Sequence, residues 1–224
     1  MKRASIRHAF TLIEVLTVIG IVALMAGGLG LALRDGSTTV ALHSAQGTVA
    51  GLVTAARGQA ALSQNRTMLV VNADPADDRF LRDILVAIES GPNSGQWQIA
   101  AEGALLPTGI CVVPGTGNLV GAVFAVDGDA ARAWPVGRRS SLELMPAGSI
   151  LSAAENPSGQ YLGMTSAFTA QGSMVSGGGD KLVLAPVRRT SAGVIFDHPE
   201  RVRGVVVSSY GVAIQVNDGP GFDF

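Results

Sequence analysis

Phe10-Thr11-Leu12-Ile13-Glu14-Val15-Leu16-Thr17-Val18-Ile19-Gly20-Ile21-Val22-Ala23-Leu24-Met25-Ala26-Gly27-Gly28 reads as a hydrophobic helix with one acidic residue near its start. From Val15 to Leu33 no charged residue occurs, and Lys2, Arg3 and Arg7 precede the run. Phe10 to Leu33 exceeds the ~20 residues needed to cross a bilayer core, so the sequence predicts a membrane-spanning helix there. Basic residues before it, with Arg34 beside Asp35 after it, predict a cytoplasmic N-terminus and an exported remainder. Glu14 is the anomaly. An ionised side chain at the centre of a membrane helix costs roughly 2.5–3.5 kcal/mol and calls for a partner. A chain cut just before Phe10 would expose a new α-amino group that could offset much of that cost.

Two other readings of the segment stand beside this one. Gly30-Leu31-Ala32 could serve as the cleavage site of an ordinary secretory signal, although such signals have a shorter apolar region of ~7–15 residues. A plain uncleaved anchor fits the length but gives Glu14 no reason to be there.

Behind the apolar run, Asp35-Gly36-Ser37-Thr38-Thr39 is a poor helix stretch, expected to interrupt or bend the chain. Leu42, Ala45, Val49, Leu52, Ala56 and Ala60 then recur at three- and four-residue steps, the pattern of an amphipathic helix with one buried stripe. Beyond Asn65 the chain breaks into short β-prone runs separated by turns such as Ser90-Gly91-Pro92-Asn93 and Asp127-Gly128-Asp129. Strands are expected at 68–72, 84–89, 97–101, 110–113, 120–126, 142–145, 167–170, 181–186, 193–196 and 203–216, the last divided by Tyr210-Gly211 into a closing hairpin. The fold class expected is therefore α+β. A long N-terminal helix, membrane-spanning over 10–33 and amphipathic over 34–66, packs on an antiparallel β-sheet or sandwich formed by 67–224.

Composition narrows the function. A formal net charge of −1 over 224 residues supplies no general basic field for nucleic acid. Arg138-Arg139 and Arg188-Arg189 read as solvated loop or strand-end pairs. The single cysteine, Cys111, lies in an apolar run and reads as a small core hydrophobe. Only three histidines occur, His8, His43 and His198, with no metal-ligand spacing among them. No nucleophile motif accompanies them, so an enzyme is not expected. Gly115-Thr116-Gly117-Asn118-Leu119-Val120-Gly121 misses the dinucleotide-binding spacing. The acidic loops Asp74-Pro75-Ala76-Asp77-Asp78 and Asp127-Gly128-Asp129 offer oxygens to calcium, but the sequence does not converge the six to eight such an ion needs. No cofactor is expected, with calcium the lesser candidate. Trp97, Trp134, Tyr161 and Tyr210 are too scattered for a base-stacking platform.

The string Arg7-His8-Ala9-Phe10-Thr11-Leu12-Ile13-Glu14-Val15-Leu16 resembles the class III signal of type IV pilins and type II secretion pseudopilins. Such signals join a short basic leader and a small residue to Phe-Thr-Leu-Ile-Glu and a long apolar helix. The resemblance implies that residues 1–9 are a leader removed by a prepilin peptidase between Ala9 and Phe10. It implies N-methylation of Phe10, and pairing of Glu14 with the first amino group of a neighbouring subunit during assembly. The family usually has glycine before the cut, and Ala9 is the next smallest side chain. Leu52-Val53-Thr54-Ala55-Ala56-Arg57-Gly58-Gln59-Ala60, Thr67-Met68-Leu69-Val70-Val71 and Leu106-Pro107-Thr108-Gly109 further resemble segments of the H-class minor pseudopilins.

What the resemblance implies is a structural subunit of a secretion pseudopilus or a pilus, held in a bacterial inner membrane with its globular domain in the periplasm. The implied partners are the prepilin peptidase, other pilins or pseudopilins, and membrane lipid, with no small-molecule substrate and no nucleic acid expected. The alternatives are a minor pilin that binds DNA or a surface, and a membrane-anchored periplasmic hydrolase.

Overall fold

The computed structural model describes residues 12–115, 119–130, 132–151, 159–175, 179–191 and 193–217, with backbone only for 26–36 and 101–102. The chain divides into two compact units, Met1–Val40 and Ala41–Phe224. Helix α1 is assigned over Leu12–Ser63, and its side chains are described over 12–25 and 37–63.

In the first unit the described apolar side chains of α1, including Leu12, Ile13, Leu16, Ile19, Leu24 and Met25, are exposed. Every residue from 12 to 25 is exposed, so this stretch has no buried stripe of its own.

In the second unit the helical periodicity of the sequence becomes a packed face. Leu42, Ala45, Val49, Leu52, Ala56 and Ala60 are all buried, joined by Val53, in the same core as the strands. Ala45, Ala56 and Ala60 on this face are fully buried. Gln46 lies on this face, and its side-chain amide donates to the carbonyls of Gly204 at 2.8 Å and Val216 at 3.0 Å. After α1, Gln64 takes a left-handed conformation with φ of 56°, a common way to stop a helix. The Thr67 hydroxyl then donates back to the Ala56 carbonyl at 2.7 Å, fastening the first strand to the helix.

Twelve strands follow among the described residues. Strands β1 (Thr67–Asn72), β2 (Asp83–Glu89), β3 (Trp97–Leu105), β6 (Leu142–Leu144) and β7 (Tyr161–Met164) form a five-stranded sheet in the order β3-β2-β1-β7-β6. All six residues of β1 are buried, which explains why its sequence is a continuous apolar run and not an alternating one. Strands β4 (Ile110–Val112), β8 (Asp180–Pro186), β11 (Arg203–Val207) and β12 (Ala213–Asn217) form a second sheet in the order β12-β11-β8-β4. A third sheet has the order β5-β10-β9, from Ala122–Phe124, Gly193–Phe196 and Arg188–Thr190.

The expected fold class is corrected in two respects. Among the described residues no helix is long and apolar enough to cross a membrane. Over 37–63 the helix carries His43, Gln46, Arg57 and Gln59, polar side chains unsuited to a bilayer core. The β-rich part is also not one antiparallel sheet or sandwich backing a long helix. It comprises three sheets, and β5 runs parallel to β10. The helical residues shown to enter its core begin at Leu42.

Individual strands differ as well. The run expected at 167–170 makes only isolated bridges from Phe168 to Thr67 and Met174. The run at 120–126 contributes three residues, Ala122–Phe124. Strands β7 and β9 were not expected. Strand β7 is short and contains Gly163, where a Cβ would press on the side chains of Met145 at 3.0 Å and Met68 at 3.1 Å. The closing hairpin forms as expected, with Val205 opposite Gln215 and Val207 opposite Ala213.

Candidate functional site

Of the residues that carry the predicted processing and assembly chemistry, Ala9 and Phe10 lie outside the described residues. Glu14 is described, on the first turn of α1, with Leu12, Ile13, Val15 and Leu16 exposed around it. Within the same stretch the Thr17 hydroxyl donates to the Ile13 carbonyl at 2.7 Å, which removes the one local hydroxyl's need for an outside partner. The stretch thus carries a carboxylate among exposed apolar side chains.

The remaining candidates resolve into structural roles. Cys111 is buried on β4, and burial pushes its thiol up to about 12, so it is inert as a nucleophile at neutral pH. His43 is exposed on α1, and His8 lies outside the described residues. In the acidic loop at 74–78 the carboxylates shape the turn. Asp74 accepts from the Ala76 amide at 2.9 Å, and Asp77 accepts from the Arg79 amide at 2.9 Å and from the Asn72 side chain at 2.6 Å. Part of the glycine-rich segment 115–121 lies outside the described residues; Ala122 beyond it opens β5, not a helix.

The arginine pairs are tied into their own chain. Arg189 donates to the carbonyls of Asp78 at 2.6 Å and Asp77 at 3.0 Å. Arg188 lies 3.7 Å from the Asp197 carboxylate. Arg138 donates to the Pro199 carbonyl, and Arg139 donates to the Trp134 carbonyl at 3.1 Å while its guanidinium sits 5.2 Å from the centre of the Phe124 ring. Phe124, Trp134 and Phe196 pack mutually, with ring centres 5.3 to 5.9 Å apart. A cleft of about 490 Å³ opens beside them, and the described residues lining it include Arg132 and Arg139 but no carboxylate, imidazole or thiol. It therefore lacks the base and nucleophile of a hydrolytic site. Trp97, Trp134 and Tyr161 are buried and Tyr210 is exposed, so they form no shared platform.

One grouping escaped the sequence. Asp127, His198 and Glu200 come together, although β6 to β10 separate the first from the other two. No local spacing announces it, because it depends on the parallel pairing of β5 and β10.

No protein-family model matches the chain, and no curated protein or solved structure matches it either.

Proposed function

We propose that the chain is a non-enzymatic filament subunit, a minor pseudopilin or pilin-like protein, processed by a prepilin peptidase and assembled through its apolar N-terminal segment. The observation that carries this reading is Phe10-Thr11-Leu12-Ile13-Glu14 after a short basic leader. A row of exposed apolar side chains from Leu12 to Met25 supports it. That much uncovered apolar surface is costly in water, at ~25 cal/mol per Å², and calls for lipid or neighbouring helices to cover it. In the proposed cycle the protein waits at a bacterial inner membrane with its globular unit in the periplasm. It then enters a secretion pseudopilus or a pilus as Glu14 meets the N-terminal amine of the adjacent subunit. Methylation leaves that amine able to carry positive charge, so the pairing survives processing.

The rival in which the globular unit captures DNA needs a basic face, and the arginines at 138, 139, 188 and 189 all engage groups of their own chain. Glu14→Val separates processing from assembly. The variant is expected to be cut and inserted as the parent is, and to be depleted from filaments sheared or co-purified from cells. Normal incorporation of Glu14→Val would refute the pairing.

A further inference from the structure

We propose that Asp127, His198 and Glu200 form a binding site for a divalent transition-metal ion of the zinc class, independent of the N-terminal assembly chemistry. The site follows from topology. Strands β5 and β10 are parallel, with Ala122 opposite Val194 and Phe124 opposite Phe196, so their C-terminal ends leave the sheet side by side. The pairing continues past both strands, as Ala125 N–H donates to the Phe196 carbonyl at 2.9 Å and Asp127 N–H to the Asp197 carbonyl at 3.0 Å.

Two tight turns then aim the side chains at one another. On the first, Asp127 and Gly128 have φ of 53° and 82°, and Asp129 N–H closes onto the Val126 carbonyl at 3.0 Å. Aspartate and glycine are the residues that accept two consecutive left-handed positions. On the second, Arg201 N–H closes onto the His198 carbonyl at 3.1 Å, and His198-Pro199-Glu200 folds so that Glu200 lies beside the imidazole. Arg138 braces this turn through the Pro199 carbonyl.

One imidazole nitrogen and two carboxylate oxygens result, all within 4.8 Å of one another. Donor atoms around one zinc ion, bonded at ~2.0–2.2 Å, lie roughly 3 to 4 Å apart, so small side-chain rotations complete the set. The Nδ1 atom of His198 is shut off from solvent and makes no hydrogen bond, yet it stands 3.2 Å from Glu200 Oε1. A cation between that nitrogen and the carboxylates satisfies all three. An imidazole with two carboxylates suits zinc and related first-row ions, whereas calcium prefers an all-oxygen shell.

The ion would clasp the 126–129 turn to the 198–201 turn. All three donor residues are partly exposed, which leaves further coordination positions for water or a donor from outside the chain. Arg132 pairs with Asp127. With Arg201, whose Nε lies 3.9 Å from Glu200 Oε1, it is a competitor the metal must displace.

The test is titration of zinc chloride into the tag-free full chain in detergent, after chelator treatment, followed by calorimetry and by the thermal unfolding midpoint. One saturable equivalent is expected, with a rise in midpoint. His198→Ala and Asp127→Asn should each weaken binding by about tenfold or more, and Arg132→Ala should strengthen it by freeing Asp127. Cobalt should add a visible absorption band that His198→Ala abolishes. Should His198→Ala compromise folding, Arg132→Ala and the cobalt spectrum of the parent still decide the matter. No saturable binding, or binding equal in the parent and the ligand variants, would overturn the proposal.

Discussion

Arg66 grips Glu89 through two parallel bonds, Nε to Oε2 at 2.6 Å and Nη2 to Oε1 at 2.5 Å. The Glu89 side chain is 1% exposed and that of Arg66 29%, so the pair is sealed on its acidic side and partly wet on its basic side. Gly95 N–H supplies Glu89 with a further bond at 3.0 Å. The pair joins the first residues after α1 to the end of β2.

Removing the guanidinium should therefore cost more than an exposed ion pair would. Arg66→Met is expected to destabilise the fold by about 2–3 kcal/mol, because it leaves a buried carboxylate with most of its compensation gone. The bonds from Arg66 hold the Glu89 carboxyl below the ordinary glutamate range, against the opposing effect of burial. A depressed carboxyl stabilises the fold above its unfolded pKa, and that contribution is lost as pH falls through the lower folded value. Urea unfolding across the acid range should show the parent losing this contribution on acidification, and Arg66→Met lacking that part of the slope.

Asp180 has the opposite sign. Burial raises its pKa, although the Thr165 hydroxyl and the Ser166 amide donate to its two oxygens. A raised carboxyl favours the fold in acid and loses that contribution as pH rises through the folded value. Asp180→Asn keeps one acceptor for Ser166 and faces Thr165 with an amide. It should be as stable as the parent or better at neutral pH, within about 1 kcal/mol, and the difference should vanish under mild acid.

Two glycines should respond in opposite directions to alanine. Gly58 is exposed on α1 with open space where a Cβ would go, so Gly58→Ala should stabilise by about 0.5–1 kcal/mol through helix propensity. Gly193 opens β10 with φ of 127°, and a Cβ there would overlap the carbonyl oxygen of Gly121. Gly193→Ala should cost about 3 kcal/mol or more. Thermal unfolding midpoints of the two variants, on either side of the parent, check both.

The helical stripe from Leu42 to Ala60 was legible because a period near 3.6 survives any tertiary arrangement that buries one face. The closing hairpin was legible for a similar reason, since Tyr210-Gly211 separates two β-branched runs. Strand β7 was not. It owes its strand state to lying between β1 and β6, and four residues with an internal glycine carry almost no intrinsic signal. Phe168 shows the converse, a β-prone run that its neighbours left with isolated bridges. The grouping of Asp127 with His198 was hidden because it rests on a parallel pairing between distant segments, which no local pattern encodes. The arginine pairs were expected as solvated residues, and what their sequence did not show is that each reaches a carbonyl, carboxylate or ring of its own chain.

Processing at the N-terminus is read from the intact mass and N-terminal sequence of the membrane-extracted protein, made with and without a prepilin peptidase. A peptidase-dependent chain beginning at N-methylated Phe10 is expected, with processing at least as complete for Ala9→Gly. An uncut chain in the presence of active peptidase, or one beginning after Ala32, would contradict it.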